Sequence, residues 1–304
     1  MAPPRLENRL PPEGLLERDE HPLRELAWLL AASLATLALL VLATGLAARW
    51  LAPMLPFSAE VALAERLFDG SATRPAGTEA QPDEAAANAA RTLAARSQAL
   101  QTLADRIAAH MSLPDGMRIT VRADPSAQVN AYATVGGHIR VFDGLLRRLD
   151  SEEALAALLA HEIAHVKHRH VATRLGHGLA LAVLVSVVWP EGGASAAQAL
   201  LGGAAQGALL GYAREQERQA DAEALAASAA LYGHAGGLEA LFAAFGQDNA
   251  NTGPAWLSTH PETADRLQAL RAAARAEDLP LRGAHTPLPP VLRPSGKASA
   301  GMPG

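Results

Sequence analysis

From Leu26 to Ala48 the chain runs for 23 residues without a charge, LAWLLAASLATLALLVLATGLAA. As a helix rising 1.5 Å per residue it spans about 34 Å, enough for a hydrocarbon core of about 30 Å. Trp28 and Trp50 stand near its two ends, where an amphipathic indole suits the membrane interface. Its length and its apolarity on every side make a soluble core helix a poor alternative. A cleaved signal peptide is the closer rival. Against it, the polar segment ahead, residues 1–25, is long, and the run exceeds the usual apolar region of about 7–15 residues. The reading is an uncleaved transmembrane signal anchor at 26–48, which makes the lipid bilayer one partner. Arg5, Arg9, Arg18 and Arg24 precede it, whereas Arg49 and Arg66 follow closely. That asymmetry sets the N-terminus in the cytoplasm and the bulk outside, which in a bacterial cell is a single pass through the inner membrane with a periplasmic domain.

With 304 residues the chain is long enough to bury a full core without staples. It is 49% hydrophobic but only 4% aromatic, and the Ala and Leu behind that figure favour helices over sheets. It has no cysteine, which excludes disulfides, thiolate metal sites and cysteine catalysis. The net charge of −5 comes with no basic patch, so no nucleic-acid partner is expected.

Residues 49–85 read as a juxtamembrane segment and linker, solvated at 69–83. An amphipathic helix follows from Glu84 to Met111, with Asp83 as its N-cap. Strands are expected at Arg118–Ala123, Val129–Thr134 and His138–Phe142, the last two joined by a tight turn at Val135-Gly136-Gly137. Asp150 with Glu153 resembles a capping box opening a helix from Ser151 to Arg174. The apolar stretch 178–213 reads as a helical insertion, either a helix pair or a hairpin dipping into the membrane. Helices are expected at 214–230, 236–246 and 261–277, and the Pro/Gly-rich tail 279–304 reads as disordered. The fold class is α+β, predominantly α-helical with a small β-sheet, preceded by one transmembrane helix.

The sharpest local signal is His161-Glu162-Ile163-Ala164-His165. On a helix the two histidines are one turn apart on one face and can offer a ring nitrogen each to a zinc ion. Glu162 beside them can take a proton from water and pass it to a leaving amine. His168 shares that face but lies about 10 Å along the axis from His161, too far to complete one site. A third ligand must come from elsewhere. Glu217 is the best candidate, since Glu217 and Asp221 are one turn apart. One carboxylate can bind the metal while the other accepts a hydrogen bond from a ligand histidine. Two imidazoles and a carboxylate suit zinc, one ion per chain, without excluding other divalent ions.

Four stretches in order resemble the HtpX and CAAX-prenyl-endopeptidase group of zinc metallopeptidases. They are the HEIAH helix with Arg169-His170 after it, and Glu217-x-x-x-Asp221. Asn130-Ala131-Tyr132-Ala133 with Gly136-Gly137 is another, and Ser258-Thr259-His260-Pro261 with Arg266-Leu267 closes the set. The resemblance covers roughly 86–275 and implies a zincin-like metallopeptidase domain over 86–278. It implies His161, His165 and Glu217 as zinc ligands, Glu162 as catalytic base and Asp221 as support for a ligand. It also implies that Asn130, Ala131, Tyr132 and Ala133 form an edge strand that pairs with an extended substrate. His260 would lie near the cleft and stabilise the oxyanion. Read from the residues alone, His260 is equally a helix-start residue before Pro261. There are two departures. Ala213-Arg214 stands where Ser-Arg is common, and Tyr132 stands where Phe is. His168 and His170 read as packing or capping residues.

The leading function is a membrane-anchored zinc metalloendopeptidase that cuts unfolded or misassembled envelope proteins, a quality-control role carried only by the resemblance. One alternative is a self-inhibited enzyme or chaperone on the same fold, with 178–213 lying over the cleft. Another, an intramembrane protease, is disfavoured by Arg147, Arg148, Asp150, Lys167, Arg169 and Arg174 around the motif.

Overall fold

The computed structural model describes residues 22–51, 54–69, 84–188, 191, 195, 214–245, 256, 259–260 and 264–294. The chain divides into two compact units, residues 1–43 and 44–304. Helix α1 (Pro22–Leu51) forms the described part of the first and continues past the division. Its large apolar side chains, among them Leu26, Trp28, Leu29, Leu34 and Leu39, are exposed. Among the described residues, Pro22–Thr44 is the one helical stretch long and apolar enough to cross a membrane.

The second unit is mostly helical around a small sheet. Helix α2 spans Phe57–Asp69 and α3 spans Glu84–Ala108. On α3, Leu100, Leu103, Ala104 and Ile107 recur at helical spacing and form the buried face. Strands β1 (Thr120–Asp124), β2 (Ala131–Thr134) and β3 (His138–Phe142) follow in the order β1-β3-β2, with β1 parallel and β2 antiparallel to β3. Gly136 and Gly137 make the β2–β3 turn at φ 76° and 77°. Glycine is required at 137, because a Cβ there would sit 2.1 Å from Arg118 O. The short α4 (Asp143–Leu146) leads into α5 (Glu152–Lys167), whose residues from Glu153 to Val166 are all buried. Around α5 pack α3, β2, α7 (Arg214–Tyr232) and α8 (Gly236–Phe245), and α9 (Ala264–Ala276) packs on α7.

Four expectations need correction. First, the cap of α5 is Ser151, not Asp150: its Oγ accepts from Ala154 N at 3.2 Å. Glu153 is instead drawn to Thr286 N, at 2.8 and 2.9 Å. Second, no single helix runs from 151 to 174. The chain breaks at His168–Arg169, where Arg169 has φ 60°, and resumes as α6 (His170–Val188). That left-handed residue costs about 1–2 kcal/mol, offset by what its side chain gains. Arg169 Nε lies 2.7 Å from Glu60, Nη2 donates to Leu55 O at 2.7 Å, and the guanidinium lies 5.6 Å from the Phe57 ring centre. Third, the segment 49–85, expected as a juxtamembrane stretch and linker, contains α2 ahead of the solvated part, with Glu60 and Ala64 buried against the Gly136 turn.

Fourth, the tail is packed at 279–294. Ser151 bridges Pro287, Val291 O accepts from Arg96 Nε at 3.2 Å, and Leu288 and Leu292 are buried. Two leucines, backbone pairing and a single 3-10 turn at Pro290–Leu292 hold this Pro-rich segment. Asp83, residues 70–83, the stretch 196–213 of the insertion and 295–304 lie outside the described residues.

Candidate metal centre

His161, Glu162 and His165 sit on the buried heart of α5, Glu217 and Asp221 on the buried face of α7, and His260 just ahead of α9. His161 Nε2 lies 3.1 Å from His165 Nε2, 3.2 Å from His260 Nδ1 and 3.5 Å from Glu217 Oε2. Glu217 Oε1 lies 3.4 Å from His165 Nε2 and 3.0 Å from His260 Nδ1. Zinc with bonds of about 2.0–2.1 Å spaces its tetrahedral ligands about 3.4 Å apart. The donor set therefore fits that ion in type and in spacing. Among the described residues these four make the one group of three or more His, Asp or Glu that could hold a metal ion. His260 thus comes closer than expected, into the ligand group itself.

The surroundings orient these donors. His161 Nδ1 is 3.1 Å from Asp221 Oδ1, which leaves its Nε2 facing the other donors. Arg266 clamps both carboxylates of α7: Nη1 is 2.7 Å from Glu217 Oε2, and Nε and Nη2 donate to Asp221 at 2.9 and 2.8 Å. Burial disfavours a charge on His161, but its bonds to Asp221 and Glu217 outweigh burial and raise its pKa to about 9. His165 moves the other way, well below its ordinary value, with burial the main cause. Glu217 and Asp221 sit below the usual carboxylate range. Burial opposes this, but bonds to the histidines, and for Asp221 to Arg266, prevail.

Glu162 is fully buried. One oxygen accepts from Ala133 N at 3.0 Å and the other from Trp256 Nε1 at 3.0 Å, with His260 Nε2 at 3.4 Å from the latter. The Trp256 ring stacks on Phe245 and on His260, with centres 4.7 and 4.8 Å apart. Strand β2 is one of the two edges of the sheet, and Phe142 N donates to Asn130 O. By antiparallel alternation the backbone groups of Asn130 and Tyr132 face β3, and those of Ala131 and Ala133 face outward.

The sequence profile of peptidase family M48 matches residues 94–274. The chain belongs to that family. M48 is a family of metallopeptidases, whose members act on polypeptides. It is 31% identical over 104 residues to the beta-barrel assembly-enhancing protease of Escherichia coli strain K12, 31% of this chain and 21% of that one. It is 35% identical over 92 residues to the mitochondrial metalloendopeptidase OMA1 of Saccharomyces cerevisiae, and 33% over 91 residues to the protease HtpX homolog of Archaeoglobus fulgidus. Each of these covers 30% of this chain and 27% of the relative. The matches thus span a quarter or so of those relatives' own lengths.

Within this M48 domain, reasoning from sequence missed three contributors. Trp256 carried no motif signal. Arg266 stood in a matched stretch with no role attached. His170, read as a packing residue, contacts His165 directly, with Nδ1 to Nδ1 at 3.0 Å. Burial pushes the His170 pKa down to about 4.

Proposed function

We propose that this chain is a zinc-dependent endopeptidase held by α1 in a bacterial inner membrane, its peptidase domain on the periplasmic side, acting on unfolded or misassembled envelope polypeptides. The observation that carries the chemistry is the donor cluster at tetrahedral spacing with Glu162 beside it. His161, His165 and Glu217 would hold the ion. Once bound, zinc supplies the Lewis acidity that lets water attack a peptide carbonyl at neutral pH. Glu162 takes the proton from that water and returns it to the departing nitrogen. Asp221 keeps the His161 proton on Nδ1, and Arg266 balances the two carboxylates of α7. An extended substrate pairs with the outward backbone groups of Ala131 and Ala133. The Ala133 N–H already serves Glu162, so pairing there and freeing the base are coupled. Such pairing reads backbone more than side chains, which suits locally unfolded targets. The anchor is supported by the uncovered apolar face of α1, and the orientation by the arginine asymmetry.

A second reading, a self-inhibited enzyme or chaperone on the same fold, is favoured by Trp256 and His260, which occupy the space beside Glu162 and the fourth donor position. Cleavage of a disordered protein by the full chain in detergent, compared with His260→Ala, separates the two readings. Lower turnover in the variant supports an oxyanion donor. Higher turnover supports self-inhibition, and loss of zinc with no turnover in either protein contradicts both.

A further inference from the structure

His165 begins a continuous line of hydrogen bonds to the surface. His165 Nδ1 meets His170 Nδ1 at 3.0 Å, and His170 Nε2 meets Gln219 Oε1 at 3.1 Å. Gln219 Nε2 meets His168 Nδ1 at 3.0 Å, and His168 Nε2 meets Glu223 Oε1 at 3.0 Å. Lys167 holds that carboxylate at 2.7 and 2.8 Å. The line starts at a fully buried ring, passes the exposed Gln219 and ends on the half-buried Glu223. The break at Arg169 makes it possible, because it lets His168 and His170 both turn toward α7.

The proton positions along this line follow from its outer end. A carboxylate only accepts, so His168 carries its proton on Nε2 and offers a lone pair at Nδ1. The Gln219 amide donates to that lone pair through Nε2, leaving Oε1 as an acceptor. His170 then carries its proton on Nε2 and accepts at Nδ1. His165 is therefore protonated at Nδ1, with its lone pair on Nε2, the atom 3.1 Å from His161 Nε2 and 3.4 Å from Glu217 Oε1. With a neutral His168 ring the reverse polarity would set its lone pair against Glu223, so the line then works in one direction only.

We propose that His170, Gln219, His168 and Glu223 are positioning residues that set the tautomer of His165 before any metal arrives, presenting its Nε2 lone pair to the ion. This rests on the metallopeptidase reading for the ion and on geometry alone for the tautomer. His161 gets the same service directly from a carboxylate, whereas His165 gets it from the His170 ring, with the Glu223 carboxylate three links away.

The test uses the full chain in detergent micelles with nitrogen-15 histidine, and the variants His170→Leu, His170→Gln and Gln219→Met. Two quantities are read: the His165 tautomer in metal-free protein, from long-range proton–nitrogen NMR correlations, and zinc affinity by chelator competition. In the wild type, His165 is expected to be protonated at Nδ1 without zinc. His170→Leu is expected to mix the tautomers and weaken zinc binding about 10–100-fold, and His170→Gln, which keeps an acceptor, to recover most of that. Gln219→Met sits at an exposed position where folding is safe; it should show the same tautomer mixing and a smaller loss, about 3–10-fold. An Nε2 proton on His165 in the metal-free wild type overturns the proposal. So does an unchanged tautomer with unchanged affinity in Gln219→Met, whatever becomes of His170→Leu. A wild type that binds no zinc contradicts the metallopeptidase reading, and the metal-free spectra still decide the tautomer.

Discussion

The two halves of α5 bury ionisable groups by different means. Near its start, Glu152 and Glu153 each meet a separate set of partners. Arg106 and Tyr232 reach Glu152 at 2.8 and 2.9 Å, and the backbone N–H of Thr286 reaches Glu153. Near its end, each of His161, Glu162 and His165 has two or more partners, and those partners bind one another. The first half is tied down by contacts that can be removed singly. In the second half, removing any one group strands its neighbours inside a low-dielectric core.

The largest effect should therefore come from Arg266→Leu, which leaves the Glu217 and Asp221 carboxylates buried without their cation. A loss of about 3–5 kcal/mol is expected in denaturant unfolding of the metal-free protein, and a loss under about 1 kcal/mol would mean that the two carboxylates need no cation. Next, Glu217→Ala should weaken zinc binding by at least about 100-fold in chelator competition, more than changes to supporting residues cost. Asp221→Asn should weaken it by about 10-fold, since the amide oxygen still accepts from His161. Equal losses in the two variants would erase the distinction between ligand and support.

At the other end of α5, Ser151→Ala should cost about 1 kcal/mol in unfolding free energy with zinc affinity unchanged. The smallest effect is a response to acid. The Glu153 carboxyl sits below its ordinary value of 4.5: burial raises it, but the two bonds from Thr286 N outweigh burial. A lowered folded-state pKa gives stability that is full above the unfolded value and lost as pH falls through the folded one. Proteolytic nicking within 279–294 should therefore accelerate below the ordinary glutamate range, and Glu153→Gln should show that faster nicking at neutral pH. A nicking rate independent of pH would mean that Glu153 does not hold the segment.

The same two halves explain how much could be read in advance. The spacing of His161 and His165, and of Glu217 and Asp221, is a local rule of the helix, and the structure brings the four together. The three strands and the β2–β3 turn were legible for the same reason. What escaped depends on distant partners. Arg169 is neither Gly nor Asn, and its left-handed turn holds because Glu60 and Leu55, over a hundred residues earlier, bind its side chain. Among the described side chains of helix α2, Glu60 and Ala64 are the fully buried ones, and a buried glutamate hides an apolar face from any periodicity. Ser151 and Asp150 are equal cap formers by type; the strand-like pairing of Ser151 with Pro287 decides between them. His170 looked like filler because its partners His165 and Gln219 lie across a break and on another helix.

The most direct measurement compares the full-length wild type with Glu162→Gln, reading bound zinc and cleavage of a disordered protein from the same samples. The expected result is one zinc per chain in both and cleavage by the wild type alone. Cleavage by Glu162→Gln at the wild-type rate, or zinc bound by neither, would contradict the assignment of this cluster as the catalytic centre.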